Sequence, residues 1–294
     1  MKLLLKNDKF WMFSSLISLS ILYLNLTWKT TGDIDRITTD SLFWGAILWL
    51  LWRRRDRLSL DSDLFSTFLG LLLIVLVLFK SISLFEFEST LIPLIPFFAA
   101  LGLALTASGF KGLRQYWREL FFAWFLFFPT GVIGYFLDRI LHITVLNAKF
   151  ATYFLYYFGF NVASQGNEVL LSLPQIGNFK AIVDYPCAGV PMILLMLKLS
   201  LLLVTFFPLK KAQRIWLPSV ALGIGFFLGV IRVCILTLAI PNPARFDYWH
   251  GSNGSQIFST LAILIFSFFC YSVLKQQNLL DSSQHQTKTR NLET

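Results

Sequence analysis

The chain has 294 residues, of which 56% are hydrophobic and 17% aromatic against 14% charged, and it carries a formal charge of +9. Apolar runs of membrane-crossing length recur along it, which excludes a soluble globular domain and predicts a polytopic, all-α membrane protein. The basic residues stand in short clusters between those runs and not along one polar face, so they mark topology and no nucleic-acid partner is expected.

Runs near the roughly 20 residues that cross a bilayer predict eight spans, at about 10–28, 38–52, 64–85, 91–108, 117–136, 188–207, 216–240 and 257–274. The first follows Lys2, Lys6 and Lys9 but lacks a small-x-small cleavage site, so it reads as a retained span and not a signal peptide. The second is short and carries Thr38, Thr39 and Ser41, which leaves seven spans as an alternative. With eight spans and the N-terminus inside, 16 of the 25 Lys and Arg residues fall on the cytoplasmic side and seven outside, with Lys198 and Arg232 within spans. The positive-inside rule therefore favours eight spans, both termini cytoplasmic, in a plasma (inner) membrane.

Residues 1–274 then form one integral membrane domain, and 275–294 a polar cytoplasmic tail expected to be disordered. The connection from Leu137 to Pro186 lies on the outer face. Its first part mixes charges into an apolar pattern and predicts an amphipathic helix lying in the membrane interface. Its second part has two β-prone runs around "PQIGN", which predict a small hairpin.

Chemistry-bearing residues collect on that outer side. Cys187, in "DYPCAGVP", stands at the outer end of the sixth span, with Pro186 suited to a first helical turn. The positive end of the helix macrodipole would lower the thiol pKa there. A free Cys can equally be a small buried hydrophobe. Arg232, in "GVIRVCIL", lies eight residues inside the end of its span, or roughly 12 Å at 1.5 Å per residue. Such an arginine points to function by default, with snorkelling to the interface as the alternative. His250, in "DYWHGSNGSQ", stands before the last span, within reach of the same face, and a His beside a Cys is the usual means of activating a thiol. His142 falls in the interfacial segment and His285 in the tail. Cys234 points away from Arg232 around its helix, and Cys270 lies near the inner end of its span. No CxxC or Cys/His ligand spacing exists, so no metal or cofactor is expected. Lys198 is eleven residues after Cys187, on nearly the same helical face but deeper.

The order of "CAG", then "GVIR", then "HGSNG" resembles the exosortase and archaeosortase family of membrane transpeptidases, and the lead-in "GFNVASQGNEVLLSLPQIGNFKAIVDYPCAG" is similar to that family's approach to its cysteine. The resemblance covers about Gly159 to Phe258, within a core of about 91–274, and the cyanobacterial branch, the cyanoexosortases, is similar. The family often has Asn three residues before its Arg and Ser after its Cys, where this chain has Gly229 and Ala188. The resemblance implies a cysteine peptidase or transpeptidase acting on exported proteins that end in a short motif, an apolar span and a basic cluster, the PEP-CTERM kind of tail. It implies Cys187 as nucleophile forming a thioester, Arg232 at the oxyanion and His250 as acid and base, with Asp184, Gly189, Asp247 and Gly254 as auxiliary candidates. The acceptor nucleophile is left open. A transporter or lipid-linked-glycan handling protein holding an anion with Arg232 and Lys198 is the alternative, and a structural scaffold the third reading.

Overall fold

The computed structural model describes residues 8–32, 34–83, 95–127, 130–174, 176–207 and 209–290. Lys2 and Lys6, the junction expected between the third and fourth spans, and Gln175 of the expected turn lie outside them. The described residues form eleven α-helices and one small sheet, and divide into two compact units, 1–133 and 134–294. Among the described residues four helical stretches are long and apolar enough to cross a membrane: Lys9–Lys29, Ile95–Trp124, Lys211–Ala239 and Ser252–Lys275. Leu64–Phe79 and Val190–Phe206 are shorter apolar helices. The protein is thus helical and suited to multiple membrane crossings.

The first unit contains α1 (Asp8–Thr31), α2 (Ile34–Arg53), α3 (Leu64–Ser83), α4 (Ile95–Gly112) and α5 (Trp117–Phe127). Two pairs of polar groups meet among these apolar helices, where a low-dielectric interior favours pairing. Tyr23 donates to Asp40 across α1 and α2 at 2.8 Å, and Arg54 pairs with the buried Glu119. Helices α3 and α4 cross where Gly70 and Gly102 meet: a Cβ on Gly70 would sit 2.6 Å from the Gly102 carbonyl oxygen. The fifth expected span, 117–136, is divided between α5 and α6 (Thr130–Leu141).

The second unit carries the segments singled out in the sequence. Helix α6 hands over to α7 (Ile143–Tyr157) through His142, whose φ of 50° is left-handed. Asp138 fixes this corner by accepting from the Thr144 amide at 2.7 Å and the Thr144 hydroxyl at 3.1 Å. Helix α7 falls in the segment expected to form an amphipathic helix, and one of its sides is buried in the protein. Its small and polar side, with Asn147, Ala148 and Ala151 wholly buried, packs against α9 (Lys211–Ala239), while Tyr153, Phe154 and Tyr157 are exposed. A helix that buries small residues and turns aromatics outward is patterned for helix packing in an apolar surrounding, and charge content alone does not separate that from an interfacial helix.

Three antiparallel strands follow, β1 (Asn161–Gln165), β2 (Glu168–Leu173) and β3 (Gly177–Ile182), in the order β1-β2-β3. The expected hairpin is β2–β3. Strand β1 was not foreseen because "NVASQ" is polar and mostly exposed, although Gly166 and Asn167 form a two-residue hairpin link, with Gly166 at φ 60°. Helix α8 (Val190–Phe206) and α9 pack as a pair, followed by α10 (Pro243–His250) and α11 (Ser252–Arg290). Asn242 caps α10 by accepting from the Arg245 amide. Helix α11 runs on to Arg290, into the segment expected to be a disordered tail, and no Gly or Pro interrupts it from Ser255 to Arg290.

Helices α8 and α9 meet through glycine. A Cβ on Gly225 would lie 2.9 Å from Ile193 Cα, and one on Gly229 would lie 2.9 Å from Gly189 Cα and 3.3 Å from the Ala188 oxygen. Gly229→Ala is therefore expected to lower the unfolding temperature of the detergent-purified protein, since overpacking a tight contact costs about 1–3 kcal/mol. Gly223→Ala on the same helix, where a Cβ meets nothing within 4 Å, should leave that temperature unchanged or raise it. Thermal unfolding followed by circular dichroism makes the comparison, and equal shifts would mean that the crossing is not constrained by size.

Candidate active site

The six residues Asp184 to Gly189 form a turn between β3 and α8, and separate elements hold successive parts of it. The Asp184 carbonyl accepts from the amides of Cys187 and Ala188, both at 2.9 Å, which closes the turn. The Tyr185 ring lies over Gly134 of α6, where a Cβ would collide with it at 2.1 Å. Arg232 Nη1 of α9 donates to the Pro186 carbonyl at 3.2 Å, and Asn147 Nδ2 of α7 donates to the Ala188 carbonyl at 2.7 Å. The two carbonyls flanking Cys187 are thus gripped by buried side chains from two different helices. Gly189 ends the turn at φ 68°, a left-handed conformation that suits glycine, against Gly229.

This corrects the local expectation for Cys187. The helix starts at Val190, and the first-turn proline is Pro191, not Pro186. Cys187 lies outside that first turn and is 8% exposed. Its thiol pKa is pushed up, first by burial and then by the Asp184 carboxylate, while the Arg232 guanidinium pulls it down. The thiol is therefore harder to ionise than an ordinary cysteine.

His250 supplies the neighbouring nitrogen. It ends α10, with its Nδ1 3.6 Å from Cys187 Sγ. Phe246, one turn earlier, stacks on the imidazole at 5.1 Å between centroids and 12° between planes. Neither Asp184 nor Asp247 is hydrogen-bonded to His250 among the described residues; both are exposed. Gly254 is buried against the backbone of Trp249, where a Cβ would approach within 2.5 Å, so it permits the tight corner between α10 and α11.

Arg232 is buried behind the pair. Its Nη2 also reaches the His250 carbonyl at 3.4 Å, so one guanidinium ties the Cys turn to the end of the His helix. Its Nε is buried without a partner, as is Oδ1 of Asn147. Gly229, where the resemblance expects an amide, instead leaves room for Asn147, whose Oδ1 would lie 3.4 Å from a Cβ there. Asn147 and Phe246 gave no signal in the sequence beyond one polar residue among several in a mixed run and one aromatic among many.

A cavity of about 480 Å³ opens beside Cys187 and His250 and is bordered by Lys180, Ile182, Asp184, Phe246 and Asp247. Arg232 and Lys198 do not line it. Cys234 lies on another side of α9, its thiol directed to the Ala151 carbonyl at 3.7 Å, and Cys270 is buried in an apolar cluster with Leu217 and Phe266. Among the described residues no group of three or more His, Cys, Asp or Glu is placed to hold a metal.

The electrostatics give a testable sign. Thiolate is the reactive form, and its fraction at a fixed pH rises as the pKa falls. Asp184→Asn removes a cause that raises the Cys187 pKa, so its labelling by iodoacetamide at neutral pH should quicken and its labelling–pH profile should move to lower pH. Arg232→Gln should move the profile upward. Site-resolved mass spectrometry reads both, and shifts in the opposite directions would overturn this account of the turn.

A family model described as transmembrane exosortase matches residues 28–267. No curated protein and no solved structure matches the chain. The family match takes in the turn, the buried arginine and the histidine helix together, and the chain belongs to the transmembrane exosortase family, membrane proteins with a sorting transpeptidase role.

Proposed function

We propose that this exosortase cleaves the C-terminal tail of exported proteins through a thioester on Cys187. The observation that carries the reading is the Cys187 Sγ to His250 Nδ1 approach of 3.6 Å at the wall of an open cavity. His250 takes the thiol proton as sulfur attacks the scissile carbonyl carbon, and the carbonyl electron pair moves to oxygen. Collapse of that intermediate breaks the C–N bond, and the leaving amine takes the proton back from His250. An incoming nucleophile, deprotonated by the same imidazole, then displaces sulfur.

The guanidinium of Arg232 supplies a fixed positive charge behind the sulfur, which favours both the thiolate and the anionic intermediate in a partly desolvated site. Its planar fork also holds the Pro186 and His250 carbonyls, a two-armed task suited to arginine and not to lysine. The substrate is an exported protein ending in an apolar span and a basic cluster, which docks through the membrane lipid so that the cleaved bond lies at interface depth. The site faces the outer side of the plasma membrane, with both termini cytoplasmic, as the Lys and Arg distribution favours. An anion transporter built on Arg232 and Lys198 is disfavoured, because the cavity is bordered by neither and the Arg232 Nη atoms are engaged with carbonyls.

Cys187→Ala should leave the protein folded and inserted while abolishing tail processing in cells, whereas Cys234→Ala and Cys270→Ala should process normally. The readout is the ratio of full-length to shortened tailed protein, and comparable loss from all three changes would indicate packing and not nucleophilic catalysis.

Sidedness provides a separate check. A membrane-impermeant thiol reagent applied to spheroplasts should label Cys187 without membrane disruption, slowly because the thiol is largely buried. Labelling that required access from the cytoplasmic side would reverse the proposed topology.

A further inference from the structure

Among the described residues strand β3 forms one edge of the sheet, since it pairs there with β2 alone. Its hydrogen-bonding parity follows from one bond just beyond its end: the Val183 amide donates to the Asn167 carbonyl at 2.9 Å. In an antiparallel ladder, opposed residues alternate between pairs that exchange hydrogen bonds and pairs that do not. Asn167 and Val183 are a bonded pair, so Val169 with Ala181 is bonded too, while Glu168 with Ile182 and Leu170 with Lys180 are not. The main-chain N–H and C=O of Lys180 and Ile182 therefore turn away from β2. Among the described residues none of these groups has a protein partner.

Both residues border the cavity of Cys187 and His250, and Ile182 precedes Cys187 by five positions. Free donors and acceptors two residues apart repeat at about 6.8 Å, the repeat that an extended peptide presents. Cys187 lines the same cavity. An unpaired edge is ordinarily blunted because it recruits other strands. Here it runs into a nucleophile.

We propose that the substrate segment preceding the cleaved bond adds to the free edge of β3 as a further strand, with the main-chain groups of Lys180 and Ile182 as its partners. The inference rests on the peptidase reading of Cys187 and specifies how the peptide is held. The segment preceding the bond is the occupant, because the segment following it has to enter the membrane as the apolar span. Main-chain pairing supplies affinity independent of sequence, and alternate side chains of the added strand face the cavity, so selectivity should vary with a period of two. Lys180 is itself braced by its ion pair with Glu168 at 2.7 Å.

The test uses the full chain in detergent and a defined probe, the chloromethyl ketone of acetyl-Thr-Val-Thr-Val-Ala, which alkylates a cysteine with loss of chloride. Iodoacetamide, too small to pair with a strand, reports intrinsic thiol reactivity. Ile182→Pro removes the outward amide and no ladder bond, and is expected to slow peptide alkylation of Cys187 about tenfold while iodoacetamide labelling is unchanged. Ile182→Val, which keeps the amide, should match wild type with both reagents. Independently of any variant, N-methylating the probe one amide at a time should slow its reaction with the wild-type chain at every second amide. Peptide rates indifferent to N-methylation, or equal in Ile182→Pro and Ile182→Val, would overturn the pairing. The underlying reading fails separately, if tails are still cut in Cys187→Ala cells; tails cut only with Cys187 present, together with indifferent peptide rates, would remove the edge pairing alone.

Discussion

Gly229 of α9 stands against Gly189 at the head of α8 with no side chain on either, and a single added Cβ would come within 2.6 to 2.9 Å of the opposing Cα. In an apolar surrounding, helices gain no hydrophobic driving force by meeting, and close backbone approach through small residues is what makes dispersion contacts numerous enough to hold them. That approach also sets the site. Arg232 follows Gly229 by less than one turn, so the glycine contact fixes how deep the guanidinium lies and which carbonyls it can reach. Asn147 enters the same gap from α7 and finds the Ala188 carbonyl.

The turn carrying Cys187 is held through its backbone and not through its sulfur. Pro186 and Ala188 lend their carbonyls to buried donors on either side, and Asp184 closes the loop from within. A carbonyl buried without a partner is costly, so these bonds specify one conformation against its alternatives. The thiol itself is buried beside the His250 imidazole, and burial raises its pKa. Stacking of Phe246 on His250 and the donor from Arg232 to the His250 carbonyl restrain the other half of the pair. Preorganisation of this kind is what a site needs if it is to favour a transition state without reorganising at the moment of reaction.

Several features were readable because they are local or compositional. Cys187 is followed by small residues at the outer end of an apolar run, Arg232 interrupts another, and His250 stands just before the last span. The β2–β3 hairpin announced itself through "PQIGN". The hidden parts have identifiable reasons. Strand β1 is polar and exposed, so it lacks the apolar alternation by which strands are recognised. Helix α7 has mixed composition, and whether its polar or its aromatic side is buried depends on what it packs against. Asn147 contacts a residue 41 positions away, a relation no local pattern encodes.

By itself the sequence determined the membrane class, through runs of apolar residues that water would not tolerate exposed, and singled out Cys187, Arg232 and His250 as the candidate site, through charge and thiol placed where burial is expensive. The tertiary structure decided which partners those groups have. It placed Cys187 outside the helix whose dipole was expected to acidify it, turned Arg232 toward two backbone carbonyls, and left the edge of β3 free beside the thiol. Each of these depends on distances between segments far apart in the chain, which hydropathy and spacing do not carry and which only the packing of glycine against glycine brings to contact.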